Sequence, residues 1–196
     1  MKRILSFALL ASMVAPGAAL AHTGVGATHG LVRGLMHPVG GLDHVLAMVA
    51  VGVLAAIVGG RAFWLIPASF VAMAAAGGLV GASHLALPYV EIGIAVSVIV
   101  LGLVVALRAK LPTALAMAMV GLFGLYHGFA HGAEMPADTS GLAYGLGFLA
   151  ATIALHAGGI GLGLGINSLG ARPAARLAQA GGAVMAVAGV ALLIGA

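Results

Sequence analysis

The sequence predicts an all-α membrane protein with six transmembrane helices after a cleaved signal peptide. Three observations support this: 63% of residues are hydrophobic and 6% charged, six apolar segments are long enough to span a bilayer, and the chain starts like a signal sequence. Soluble chains are typically about 25% charged, so the composition excludes a soluble domain. With no cysteine, disulfides, cysteine-bound zinc and iron–sulfur clusters are excluded. The net charge of +4 lies mostly in short connectors, so we predict no nucleic-acid partner.

The first 21 residues have the pattern of a secretory signal peptide. Basic residues at positions 2 and 3 precede an apolar run, and small residues follow up to Ala21. We predict cleavage after Ala21, which makes His22 the mature N-terminus and places it outside. An uncleaved signal anchor is the alternative, and it leaves the next segment on the same side.

Six apolar segments follow, each long enough to cross about 30 Å of hydrocarbon as a helix. Their predicted limits are Pro38–Val58, Ala62–Ala82, Pro88–Leu107, Thr113–Gly132, Gly141–Leu164 and Leu177–Ala196. Residues 22–36 are then a periplasmic N-terminal segment, and residues 37–196 form a single transmembrane domain.

The basic residues predict the orientation of these spans. Six basic residues remain after cleavage, and five of them lie in connectors on one side: Arg61, Arg108, Lys110, Arg172 and Arg176. Such residues concentrate on the cytoplasmic side of membrane proteins. We therefore predict a bacterial inner-membrane protein whose mature N- and C-termini are periplasmic. The antiparallel first and fourth spans also suggest a 3+3 inverted repeat, with a site at its interface.

The first span begins with ionisable side chains, which are costly in hydrocarbon and therefore indicate a functional site. Pro38 suits a first helical turn, so we place His37 at the mouth. If His37 is nearly helical, His44 then lies about 10 Å deeper on nearly the same helix face. The neighbouring Asp43 and His44 suit Ni²⁺, Co²⁺ or Zn²⁺. Asp43 could instead orient His44 through its other ring nitrogen.

The fourth span ends with a second set of such residues. His127, His131 and Glu134 are spaced i, i+4 and i+7, so they share one helix face. Because this span runs opposite to the first, both motifs lie at the outer ends of their helices. We predict a transition-metal site between these two spans. For any single histidine, a hydrogen bond to a neighbouring helix is the alternative.

Five further residues are candidates outside the two motifs. As the mature N-terminus, His22 would offer its α-amino nitrogen and its imidazole Nδ1 to one metal, unless the linker is only a flexible tail. His29, His84 and Glu91 are predicted to lie along the ion's path or to support its ligands. His156, deep in the fifth span, could relay the ion or a proton, or simply bond across helices.

The pattern His-x5-Asp-His in the first span, together with His-Gly-x-Ala-His-Gly-x-Glu in the fourth, resembles the HupE/UreJ family of hydrogenase- and urease-accessory nickel permeases. The resemblance covers the whole chain. It implies a secondary transporter, not an enzyme, that takes up Ni²⁺ or Co²⁺ across the inner membrane for metalloenzyme assembly. The family's motif residues correspond to His37, Asp43, His44, His127, His131 and Glu134. Tyr126 stands where the family usually has phenylalanine.

Two other functions stay open at this point. An intramembrane metal-dependent hydrolase could use Glu134 as its base, although the glutamate that follows the first histidine in zincin helices is missing here. A metal-sensing or assembly subunit would bind metal without transporting it.

Overall fold

A computed structural model describes residues 27–83, 85–136 and 140–195, which form seven α-helices and no strands. The helices are α1 (Ala27–Gly40), α2 (Leu42–Val58), α3 (Ala62–Ala82), α4 (Val90–Ala106), α5 (Thr113–Ala133), α6 (Gly141–Ser168) and α7 (Ala171–Gly195). The prediction of an all-α chain is confirmed.

Four of these helices, α3, α5, α6 and α7, are long and apolar enough to cross a membrane. A fifth candidate span is formed by Gly30–Gly40 and Leu42–Val58 if they are counted together across a bend of 84°. Helix α4 is apolar but shorter, at 17 residues. The chain is therefore a multi-pass membrane protein with four or five long candidate spans in its described part, and the count of six stays a prediction.

The start of the first span differs from the sequence prediction. Pro38 does not begin a helix but lies inside α1, which already starts at Ala27. The chain bends at Gly41, whose extended backbone (φ −106°, ψ 121°) caps the start of α2. His37 and His44 therefore belong to different helices, and the expectation that they share one helix face is wrong. Pro38 lies near the end of its helix and not at the start.

Three extensive helix contacts organise the bundle: α3 packs on α5, α4 packs on α7, and both α1 and α2 pack along α6. Glycines allow these helices to approach closely, because lipid provides no hydrophobic drive for helices to associate. A Cβ added to Gly128 would overlap the backbone carbonyl of Ala74, and one added to Gly159 would overlap that of Val49. By contrast, a Cβ added to Gly158 would meet no atom within 4 Å.

The two ends of the bundle differ in charge. Helices α2, α4 and α6 all end where the basic connectors lie, and the Arg108 guanidinium there donates to Asn167 Oδ1 at 3.0 Å. We call this the basic end. Helix α5 runs the opposite way and finishes at Glu134, so the opposite end is called the Glu134 end. Both histidine motifs lie toward the Glu134 end.

Candidate metal centre

Four imidazole rings from three helices are in contact, edge to face, near the Glu134 end. The ring centroids are 4.7 Å apart for His37 and His131, 4.3 Å for His131 and His44, and 4.8 Å for His44 and His127. These four side chains form a continuous line, which we call the histidine row. It joins α1, α2 and α5, and it leads from Glu134 into the bundle.

The Glu134 end of the row is partly exposed and carries a carboxylate. His37 Nε2 donates to Glu134 Oε2 at 3.1 Å, and 34% of the histidine side chain and 58% of the glutamate side chain are exposed. The hydrogen bond from His37 holds the pKa of the Glu134 carboxyl below its usual value, against the opposing effect of partial burial. Ligand atoms of His37, His131 and Glu134 all lie within 4.8 Å of one another, a spacing that could hold one metal ion.

Asp43 holds the His44 ring by one of its nitrogens. Asp43 Oδ1 accepts from His44 Nδ1 at 2.8 Å and from the His44 backbone N–H at 2.9 Å. The other nitrogen, Nε2, is buried without a hydrogen-bond partner in the described part of the chain. Of the two roles that the sequence left open for Asp43, this geometry favours that of orienting His44.

His131 is the middle member of the row. Its side chain is buried, and neither ring nitrogen has a partner among the described residues. Buried polar atoms in proteins nearly always have partners, so two free nitrogens on one ring need an explanation. Neutral imidazole nitrogens beside carboxylates are the ligands that borderline divalent metals such as Ni²⁺ and Co²⁺ prefer.

The histidine at the inner end of the row is hydrogen-bonded to a residue that the sequence did not indicate as functional. His127 is fully buried, and its Nε2 lies 2.9 Å from the hydroxyl oxygen of Ser97 on α4. The Ser97 hydroxyl is also 2.6 Å from the carbonyl oxygen of Ile94. We call this the Ser97 end. The available signal was a single hydroxyl within an apolar helix.

Phe70 of α3 separates the row from the deeper histidine. Its ring centroid is 5.6 Å from that of His127 and 5.1 Å from that of His156. His156 is buried, and its ring nitrogens have no hydrogen-bond partner among the residues described. Among these residues it therefore makes no cross-helix hydrogen bond, and its role as a relay stays a prediction. Nothing in the sequence distinguished Phe70 from other apolar residues of its span.

The six motif residues thus form one connected cluster, which His156 approaches through Phe70. Glu91 is exposed in the first turn of α4. His29 lies in α1, but its side chain is not among those described. His22 and His84 lie outside the described residues.

Comparison with known proteins gives a consistent result. Residues 9–192 match the family described as HupE / UreJ protein. The chain is 48% identical to Protein HupE of Rhizobium leguminosarum bv. viciae over 187 residues, which is 95% of both chains. No solved structure matches the chain. On these matches, the chain belongs to the HupE/UreJ family.

Proposed function

We propose that this protein is a secondary transporter that takes up Ni²⁺ across the bacterial inner membrane for metalloenzyme maturation. The observation that carries the proposal is the histidine row, a line of four contacting imidazoles with a carboxylate beside it at Glu134 and at Asp43. Family members are hydrogenase and urease accessory proteins associated with nickel uptake, which supports the choice of ion. Co²⁺ is the alternative cargo, because geometry and supply decide between the two metals more than donor type does.

Six spans fit the described helices if the bent pair α1 and α2 is the first and α4 is the third. A helix of 17 residues is about 25 Å long, which is at the short limit for a transmembrane helix. The basic end then faces the cytoplasm, and the Glu134 end and both mature termini face the periplasm. A signal peptide over residues 1–21 gives the same orientation.

The main helix contacts support a 3+3 inverted repeat within this topology. If spans one to three correspond to spans four to six, the pair α1/α2 with α6 corresponds to the pair α5 with α3. The remaining pair, α4 with α7, consists of spans three and six, which correspond to each other. These are the three most extensive contacts in the bundle. The histidine row joins the first and fourth spans, which is where such a repeat places its binding site.

The bend at Gly41 supports a transport role more than a structural one. Broken helices at membrane depth are typical of transporters, where they line the substrate site. The N-terminus of α2 carries the positive end of a helix dipole, which by itself disfavours a cation. Asp43 in the first turn of α2 offsets this charge while it orients His44.

A hydrolase fits the geometry less well. Its general base would have to be free to activate a metal-bound water. Glu134, the carboxylate proposed for that role, is hydrogen-bonded to His37. A sensor or assembly subunit shares the same metal site, so only ion flux distinguishes it from a permease.

The test is Ni²⁺ flux into proteoliposomes that contain the purified protein. We expect saturable uptake by the parent protein, and uptake at the background of empty liposomes for Asp43→Ala and for His44→Ala. Gln179→Ala, which changes an exposed polar side chain on α7, is the control and should transport normally. Near-normal uptake by both site variants at limiting Ni²⁺ would show that Asp43 and His44 are not part of the transport site. Metal binding without flux in the parent would favour the sensor.

A further inference from the structure

We propose that Ser97 is a positioning residue that fixes the tautomer of His127 and so keeps Nδ1 of that ring available as a metal donor. The part of this inference that concerns metal binding rests on the proposed function. The part that concerns the tautomer of His127 applies to the metal-free protein. Ser97 lies on α4 and His127 on α5, and both side chains are fully buried. Ser97 is outside both histidine motifs.

The hydrogens available to Ser97 determine which nitrogen of His127 is protonated. A serine hydroxyl has one hydrogen to donate and lone pairs to accept with. The carbonyl oxygen of Ile94, 2.6 Å away, can only accept, so the hydroxyl hydrogen is directed there. At 2.9 Å from His127 Nε2, the Ser97 oxygen can therefore only accept, and Nε2 has to carry a hydrogen.

The same geometry disfavours a charged His127 ring. A neutral imidazole has one N–H, so a hydrogen on Nε2 leaves a lone pair on Nδ1. An imidazolium would have a second N–H at Nδ1, which is buried with no acceptor in the described part of the chain. Burying an unpaired N–H and a positive charge together is costly. This site therefore accommodates the neutral ring, in which the lone pair of Nδ1 is available to a metal ion.

His44 provides a parallel in the next ring of the row. Asp43 accepts from its Nδ1 and leaves Nε2 free, whereas Ser97 accepts from Nε2 of His127 and leaves Nδ1 free. Metal-binding histidines almost always donate their other ring N–H to a protein acceptor in this way. Two adjoining rings are thus held in opposite tautomers, one by a carboxylate and one by a hydroxyl.

Ser69 on α3 provides a matched control. Its hydroxyl makes the same type of backbone hydrogen bond, to Ile66 at 2.7 Å. On α5 it faces the region of Gly121, where an added Cβ would lie 4.0 Å from the Ser69 Cβ, and the Ser69 hydroxyl has no imidazole partner in the described part of the chain. Replacing Ser69 with alanine removes an equivalent hydroxyl from the membrane domain without removing a hydrogen bond to the His127 ring.

The experiment measures the tautomer directly. Protein labelled with ¹⁵N-histidine is prepared in nanodiscs without metal, and long-range ¹H–¹⁵N spectra distinguish the two nitrogens of each ring; His127→Gln assigns the signal. We expect the Nε2–H form in the parent, the same form in Ser97→Thr and Ser69→Ala, and its loss in Ser97→Ala. Calorimetry with Ni²⁺ should then show affinity about 10–100-fold weaker for Ser97→Ala alone.

Each outcome has a distinct meaning. An Nδ1–H form in the parent, or an unchanged His127 signal in Ser97→Ala, overturns the inference without touching the proposed transport. If the parent protein has the predicted tautomer but binds no Ni²⁺, the proposed function is wrong. The part of the inference that makes Nδ1 a metal donor is then wrong as well. Thermal unfolding of each variant identifies any loss of affinity that is due only to misfolding.

Discussion

The two ends of the histidine row hold the same kind of side chain in opposite ways. At the Glu134 end, His37 is partly exposed and is bonded to a carboxylate. At the Ser97 end, His127 is fully buried and is bonded to an uncharged hydroxyl, with Phe70 beside it. An ionised group is inexpensive where water can reach it and costly where it cannot. The protein therefore places one carboxylate, Glu134, at the mouth and a second, Asp43, at His44, while the innermost ring, His127, is bonded to an uncharged hydroxyl.

This difference suggests a division of labour in the proposed transporter. A carboxylate at the mouth attracts cations and raises their local concentration. His127, which is bonded to a hydroxyl and not to a carboxylate, would bind the same ion less strongly than His37 and Glu134 do, and this would let the ion leave. Conduction needs both properties, because binding has to be favourable enough to admit an ion and weak enough to release it.

The largest effect is expected from variants that remove one end of the histidine row and leave the other end intact. In the liposome assay, His127→Ala should lower the maximal rate of Ni²⁺ uptake by about 100-fold or more, because His127 is the ring of the row that lies beside Phe70. Glu134→Gln keeps the size of the side chain and removes the charge. It should mainly raise the Ni²⁺ concentration for half-maximal uptake, by about tenfold (~1.4 kcal/mol).

The double variant indicates whether the two ends share one ion. If they do, Glu134→Gln adds little to the loss caused by His127→Ala, since residues in one network are non-additive. Fully additive losses would mean two separate sites along a path. An identical effect of the two single variants on rate and half-saturation would contradict the division of labour.

The next effect concerns the packing of α2, the helix that carries Asp43 and His44, against α6. Gly159→Ala places a methyl group against the Val49 carbonyl on α2, whereas Gly158→Ala places one in open space. We expect the first to destabilise the protein by up to about 3 kcal/mol through overpacking, and the second to be nearly neutral. Thermal unfolding in detergent compares the two neighbours. Equal melting temperatures would mean that α2 and α6 can move apart freely.

Parts of this arrangement could be predicted from the sequence because they depend on local periodicity. The spacing of His127, His131 and Glu134 places them on one helix face whatever surrounds the helix. The predicted alternation of spans indicated that the first and fourth spans run in opposite directions, and the structure brings His44 next to His127 and His131.

Other parts depend on tertiary contacts that no local pattern reveals. Pro38 is compatible with either the start or the late part of a helix, so the break at Gly41 was missed. Ser97 and Phe70 are ordinary residues within apolar helices, and only the packing of α4 and α3 against α5 gives them a role. His127, which both residues contact, lies 30 positions from Ser97 and 57 from Phe70 along the chain, too far for helical spacing to indicate the contacts.

The smallest expected effect tests the bend that lies between the two ends. A Cβ on Gly41 would come within 2.7 Å of Asp43 Oδ1 and 2.9 Å of His44 Nδ1, whereas one on Gly40 would meet nothing within 4 Å. The Gly41 backbone is extended and not left-handed, so the constraint is the space for the Asp43–His44 pair and not backbone strain.

Gly41→Ala should therefore displace the carboxylate from the His44 ring while leaving both helices folded. Loss of such an orienting hydrogen bond typically weakens metal binding by about tenfold, so we expect that loss in Ni²⁺ affinity by calorimetry for Gly41→Ala and none for Gly40→Ala. Equal affinities for the two variants would show that the bend tolerates a side chain and that Asp43 orients His44 only loosely. A loss in both would instead point to helix α1, because the bend would then transmit any change in α1 to the Asp43–His44 pair.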